Sequence, residues 1–254
     1  MSGHEPVRIA MWSGPRNIST AMMRAFENRA DCAVSDEPFY AAYLAATGLQ
    51  HPMRDAVIAS QPKGWRDVAH ALLGPVPMGR TLWYQKHMSH HMQPGFGLEW
   101  TQRVTNVFLI RAPAAVLASY TQKREDVTLA EIGLPQQVAL FDRVAQRLGF
   151  APPVLESNAV LANPHGMLAA LCAVCGIAFS DRMLAWPAGK RSSDGVWAPA
   201  WYDKVEQSTG FGPVRTEVTA EVLDPALRAI AEAAAPLYAR LSRHALGPAV
   251  QREI

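Results

Sequence analysis

Residues 12–20, Trp-Ser-Gly-Pro-Arg-Asn-Ile-Ser-Thr, hold side chains suited to gripping a tetrahedral anion. Gly14 and Pro15 break the chain, and Asn17, Ser19 and Thr20 are of the types that open helices. First-turn N–H groups and the positive dipole end of a helix converge on one spot. Arg16 adds a planar fork of donors for phosphate or sulfate oxygens, and Ser19 and Thr20 each offer a hydroxyl. Gly14, Pro15, Arg16, Asn17, Ile18, Ser19 and Thr20 together read as a phosphate cradle. The plainer alternative is a strand–helix turn with a surface arginine. The nucleotide-hydrolase pattern G-x-x-x-x-G-K-[ST] is absent, because from Gly14 there is neither a second glycine nor the lysine after it. The best later strand ends in Arg111 rather than in an Asp suited to Mg²⁺, so phosphate binding is expected and ATP hydrolysis is not.

Other candidates fall at strand ends. Asp36-Glu37 follows a short apolar run, where open α/β sheets place their sites; a solvated acidic turn is the alternative. Lys86, His87, His90 and His91 crowd six residues after another run. A metal site wants ligands on one face with a carboxylate partner, which adjacent His90-His91 do not supply neatly, so no metal is expected. A polar strand end and solvated helix start would explain them too. Arg111 ends the most β-rich run, and Ser119 lies about two helical turns beyond it, so both can meet one anion at the sheet edge. Cys172-x-x-Cys175 sits in an apolar helical stretch, where cysteine behaves as a small hydrophobe rather than a redox or zinc ligand.

These residues need a scaffold, and the chain supplies one. Apolar runs at 7–11, 32–35, 81–85, 104–110 and 153–156 read as strands. Helical patterns follow at 21–26, 55–60, 65–73, 114–120, 134–148, 163–175 and 219–244, with Pro113 suited to a first turn and Gly176 to a stop. Strand and helix alternate, which predicts one three-layer α/β domain with a mainly parallel sheet over residues 1–254. Residues 41–80 read as a lid or substrate-side insertion. Residues 186–213, rich in Gly and Trp and without periodicity, read as a long ordered loop whose aromatics cover a ligand or staple it to the core. A net charge of +2 with 18% charged residues argues for neither a nucleic-acid nor a membrane partner. No signal pattern, spanning run, repeat or disulfide framework is visible in the sequence with its three cysteines, so a cytoplasmic protein is expected.

In that order, the pieces resemble the sulfotransferases that use 3′-phosphoadenosine 5′-phosphosulfate (PAPS). Residues 14–20 resemble that family's 5′-phosphosulfate loop, P-K-x-G-T-T, with Arg16 at the lysine position and Ile18 at the glycine. Arg111 to Ser119-Tyr120 matches its 3′-phosphate motif R-x-P-x-x-x-x-x-S-Y, spacing included. Residues 154–164 and 189–211 are similar to its later segments, the second carrying G-x-W and covering the nucleotide. The aromatic that stacks on adenine is replaced by Ala21. The resemblance implies PAPS as co-substrate, 3′-phosphoadenosine 5′-phosphate (PAP) as product, and a P-loop nucleotide-binding fold. It implies Arg16, Asn17, Ser19 and Thr20 on the leaving phosphate and Lys86 on the sulfonyl oxygens. Arg111 and Ser119 would hold the 3′-phosphate, aided by Lys190 or Arg191. Glu37 or His87 would be the base; position favours Glu37, unperturbed pKa favours His87. The acceptor is a small molecule or sugar with a hydroxyl or amine, shaped by residues 41–80 and 88–103. A homodimer is allowed but not specified. The alternatives are a PAP-binding protein without turnover and, further off, a P-loop kinase.

Overall fold

In the computed structural model, which describes residues 5–120, 127–214 and 218–249, the sheet is built around β1 (Val7–Ser13). Its side chains alternate: Ile9 and Met11 enter one apolar cluster, Ala10 and Trp12 another, and all four are fully buried. Both faces are therefore covered, as a parallel sheet requires. β2 (Cys32–Asp36), β3 (Leu82–Met88), β4 (Thr105–Ile110) and β5 (Val154–Glu156) join in the order β2-β3-β1-β4-β5, every pair parallel.

The helices are α1 (Ser19–Glu27), α2 (Tyr40–Thr47), α3 (Arg54–Ser60), α4 (Trp65–Leu72), α5 (Pro113–Tyr120), α6 (Leu134–Leu148), α7 (Ser157–Ala162), α8 (Pro164–Val174), α9 (Ala198–Trp201), α10 (Asp203–Glu206) and α11 (Pro225–Ser242). α1, α7 and α8 press Met22, Phe26, Val160 and Leu168 onto the Ile9 face. α4, α5, α6 and α11 press Leu72, Leu117, Phe141 and Leu241 onto the Trp12 face. A third cluster joins α2 and α3 to residues 197–202 through Tyr40, Leu44, Val57, Trp197 and Tyr202.

Several elements differ from expectation, among them α7, which the sequence pattern does not predict. β3 runs on to Met88, so Lys86 and His87 belong to a buried strand rather than to a polar end. α2 had no visible period because it is apolar all round, with Tyr40 to Leu44 buried in succession. α11 starts at Pro225 rather than 219, because Asp224 caps it by accepting from the Ala226 and Leu227 N–H groups and proline favours the first helical position. Residues 186–213 are an ordered excursion containing α9 and α10. Among the described residues, no helix is long and apolar enough to cross a membrane.

Candidate active site

The loop after β1 is shaped by two left-handed residues, Arg16 (φ 61°) and Ile18 (φ 55°). Ile18 is the N-cap of α1 and offers no side-chain cap, so the helix presents its first-turn N–H groups and dipole end without internal competition. A β-branched side chain at positive φ is strained, which shows why the related pattern carries glycine there. Gly14 suits a close approach: a Cβ would lie 3.0 Å from the Ile132 carbonyl oxygen, which would have to give way by a few tenths of an ångström. Asn17 turns inward, donating from Nδ2 to the Leu109 carbonyl (3.1 Å), so it staples the loop to β4.

Sheet order brings the second anion motif to the first. β4 lies beside β1, and the chain leaves them toward opposite sheet edges, the arrangement that opens a crevice at the carboxyl ends. Arg111 donates from a guanidinium nitrogen to the Arg16 carbonyl (2.9 Å), and Arg16 Nε donates to Ser119 Oγ (3.0 Å). The two motifs are one connected cluster. Pro15 to Thr20 and Ser119 line a cavity of about 1220 Å³; Gly14 and Arg111 lie outside its lining.

Glu37 and Lys86 line the same cavity. Asp36 and Lys86 are register partners across β2 and β3. Lys86 Nζ donates to Asp36 Oδ1 (2.8 Å), Glu37 Oε1 (2.6 Å) and the Tyr202 hydroxyl (2.8 Å), which uses all three of its protons. Asp36 Oδ2 also accepts from the Tyr202 hydroxyl (2.7 Å) and the Gly195 N–H (3.1 Å), while Trp197 Nε1 donates to Tyr202 (3.3 Å). Burial opposes the Lys86 charge, but Asp36 and Glu37 outweigh it and hold the ammonium well above the ordinary lysine value. One ammonium shared by two carboxylates cannot stabilise both fully. Burial, with Asp36 adding repulsion, raises Glu37 above the usual carboxylate range despite Lys86.

His87 lies elsewhere. It points to the opposite sheet face, stacks on Trp12 (centroids 4.4 Å apart), packs near Phe39 and Trp100, and is absent from the cavity lining. Burial, then the Lys86 charge, pushes it down to about 3. Lys190 and Arg191 are also outside the lining; the Arg191 guanidinium lies 3.6 Å from Glu27 at the far end of α1 and donates to the Pro187 carbonyl. The 186–213 segment contributes Trp201, Tyr202 and Phe211 to the cavity, whereas Trp186 and Trp197 are core staples. Segments 41–80 and 88–103 contribute Tyr43, His51, His90, His91 and Met92. Asp36 was visible in the sequence only as the neighbour of Glu37 in a strand-end carboxylate pair, with no role of its own, and Tyr202 only as one aromatic of a long loop. Cys172 and Cys175 are free and buried, with thiols pushed up to about 11 and about 12 by burial, which suits packing rather than redox work. Among the described residues no group of three or more His, Cys, Asp or Glu is placed to hold a metal.

An uncapped helix start, an arginine and a hydroxyl lie at one end of a crevice, with a carboxylate at its side, all at the carboxyl ends of a parallel sheet. The sulfotransferase domain model matches residues 7–245, and the chain belongs to that family. Two solved structures share its fold: a sulfotransferase from Alicyclobacillus acidocaldarius (TM-score 0.56, 14% identity, covering 95% of this chain and 96% of that one) and a sulfotransferase domain from the curacin biosynthetic pathway (TM-score 0.54, 14% identity, 92% and 99%). Two curated Arabidopsis thaliana proteins, branched-chain-amino-acid aminotransferase-like proteins 1 and 2, are 36% and 34% identical over 82% and 80% of this chain. The chain spans 37% and 36% of their lengths.

Proposed function

We propose that the protein transfers a sulfuryl group from PAPS to a hydroxyl or amine of a small acceptor, in line and with no metal ligand assigned. The observation carrying this is that Arg16, Ser19, Thr20, Ser119 and Glu37 line one cavity, with the anion donors and the base as separate groups. The donor set fits a doubly phosphorylated nucleotide: helix N–H groups, two hydroxyls and Arg16 for the 5′ end, Ser119 for the 3′-phosphate. Arg111 fixes the loop beneath through the Arg16 carbonyl. The acceptor oxygen attacks sulfur, the bond from sulfur to the 5′-phosphate oxygen breaks, and PAP leaves with that electron pair. The acceptor proton passes to Glu37. Preorganised donors lower the barrier where charge grows on the leaving oxygens. Lys86 serves by holding Glu37 and Asp36; contact with a sulfonyl oxygen would require it to give up one of its three bonds.

A second reading, a PAP-binding protein without turnover, is favoured by arginine and isoleucine at the family's lysine and glycine positions. Calorimetric titration with PAP against 5′-AMP tests the site, and radiolabelled PAPS with an acceptor panel tests turnover. PAP should bind more tightly, and Ser119→Ala should cut that preference about tenfold, a charge-assisted hydrogen bond being worth about 1.5–3 kcal/mol. Equal affinity for the two nucleotides overturns the assignment. Tight PAP binding with no transfer to any acceptor selects the second reading.

A further inference from the structure

Gly195-Val196-Trp197 is the G-x-W stretch that the family resemblance places over the nucleotide. In the fold it turns elsewhere. Neither Gly195 nor Trp197 lines the cavity, and Trp197, 2% exposed, packs in the cluster of Tyr40, Leu44 and Val57. The polar atoms of the stretch go to the carboxylate side of the site. The Gly195 N–H donates to Asp36 Oδ2 (3.1 Å). Trp197 Nε1 donates to the Tyr202 hydroxyl (3.3 Å), which itself donates to Asp36 Oδ2 (2.7 Å). Glycine at 195 is what lets these groups close on one oxygen, because a Cβ there would run into the Trp197 indole.

Asp36 thus collects three donors, Lys86, Tyr202 and Gly195, and two of them come from the 186–213 segment. Glu37 receives one, from Lys86 to Oε1 (2.6 Å). Among the described residues nothing donates to Glu37 Oε2; His91 Nε2 faces it at 4.0 Å, on an imidazole that burial keeps neutral. The titratable groups around Glu37 are therefore Lys86 from β3, Asp36 from β2, His91 from the segment after β3 and, through Lys86, Tyr202. The Lys86 and Asp36 side chains are 1% and 2% exposed and that of Glu37 11%, so Asp36 can act only through its neighbours. An ammonium that answers two carboxylates gives each a share of its charge. The more donors Asp36 has from elsewhere, the larger the share left for Glu37.

We infer that Gly195, Trp197 and Tyr202 are positioning residues for the base rather than a cover for the nucleotide: by satisfying Asp36 they leave the Lys86 ammonium to Glu37 and keep Glu37 ionised, with Oε2 free for the acceptor proton. The inference rests on the sulfuryl-transfer reading, which gives Glu37 its task, and deepens it.

The test follows the Glu37 carboxyl by carbon NMR during pH titration of protein labelled at the glutamate carboxyl carbon, its signal assigned by its loss in Glu37→Gln. Tyr202→Phe should raise the Glu37 midpoint by about one pH unit, the size for one hydrogen bond to a charged group, because Asp36 then draws harder on Lys86. Gly195→Ala, which moves the N–H off Asp36, should shift it the same way and carries the titration should Tyr202→Phe not fold. Asp36→Asn, which removes the competing carboxylate, should lower it. In calorimetry, Gly195→Ala and Trp197→Phe should keep PAP affinity within about twofold of wild type. A Glu37 midpoint unmoved in Tyr202→Phe and Gly195→Ala, or moved in one direction by all three variants, overturns the inference. So does PAP affinity lost by about tenfold or more in Gly195→Ala and Trp197→Phe, which would return the stretch to the nucleotide. Wild-type protein that binds no PAP refutes the nucleotide reading alone, and the carboxyl titration, which needs neither nucleotide nor acceptor, still decides the positioning.

Discussion

Glu37 sits at φ 41°, with its N–H donated to the Lys86 carbonyl (2.9 Å), in a conformation that side chains seldom adopt. That turn swings its carboxylate off the β2 line and into the cavity while Asp36 stays beneath. The difference between the two acids then follows from donors. Asp36 accepts from Lys86, Tyr202 and Gly195, whereas among the described contacts Glu37 accepts from Lys86 alone. Burial holds Glu37 above the usual carboxylate range, so with PAPS and an acceptor the acidic limb of kcat/KM should fall above the ordinary glutamate value of about 4.3. Glu37→Gln should lower kcat by about 10²–10⁴-fold and abolish that limb. An unchanged limb would assign the base elsewhere. Removing the ammonium is a different experiment. Lys86→Met strands two buried carboxylates and should cost about 3–5 kcal/mol in denaturant unfolding. The double variant Lys86→Met, Asp36→Asn should recover part of it; strict additivity would deny the coupling. Arg16, Ser119 and Glu37 were legible by residue type and spacing. The Lys86 partners were not, because strand adjacency and a tyrosine 116 residues away are long-range facts.

The 186–213 segment is fastened from beneath by one buried ion pair. Arg24 on α1, 1% exposed, meets Asp194 Oδ1 at 2.7 Å and Oδ2 at 2.8 Å, while Asp194 Oδ2 also accepts the Arg191 N–H (2.8 Å). The next residue, Gly195, donates to Asp36, and Trp197 roofs Tyr202. A helix of the anion loop is thereby tied to the Lys86 cluster through a segment with no periodicity of its own. The family resemblance implied that Lys190 or Arg191 helps hold the 3′-phosphate, yet Arg191 pairs with Glu27. Sequence reading found the strands and the amphipathic helices, α6 to the residue, because burial on one face leaves a period. It missed α2 because a sequence apolar all round leaves none. Asp194→Asn should destabilise the protein by up to about 3 kcal/mol, since it leaves the buried Arg24 guanidinium with Glu27 alone, at 3.4 Å, as counter-charge. Limited proteolysis should then cut first within 186–213. A cleavage pattern identical to wild type would show that the aromatic staples hold the segment unaided.

The molecule as a whole encloses imidazoles that its unfolded chain would expose. His87, held at about 3, and His90, at about 4, stay neutral in the fold, with burial the leading cause in both; His91 follows the same direction. In the unfolded chain each takes up a proton near pH 6.5. Below that pH the unfolded state binds more protons than the native one, so stability falls as pH drops from about 6.5 toward the folded values. Glu37 works the other way: its raised value means the native state takes up a proton first on acidification, which offsets part of the loss. At 1.36 kcal/mol per pH unit, moving from pH 6.5 to pH 5 costs at most about 2 kcal/mol for each such histidine. His87 isolates the effect, because it lies outside the cavity among Trp12, Phe39 and Trp100, where a phenyl ring can replace it. Its Nδ1 has no partner to lose, and its Nε2 only faces Gln85 Oε1 at 3.4 Å. In urea unfolding at pH 7.5 and pH 5.0, the wild type should lose stability on acidification. His87→Phe should lose about 2 kcal/mol less over the same interval. Parallel losses in the two proteins would mean that His87 gains its proton within the fold, which the stacked ring and the neighbouring Lys86 charge oppose.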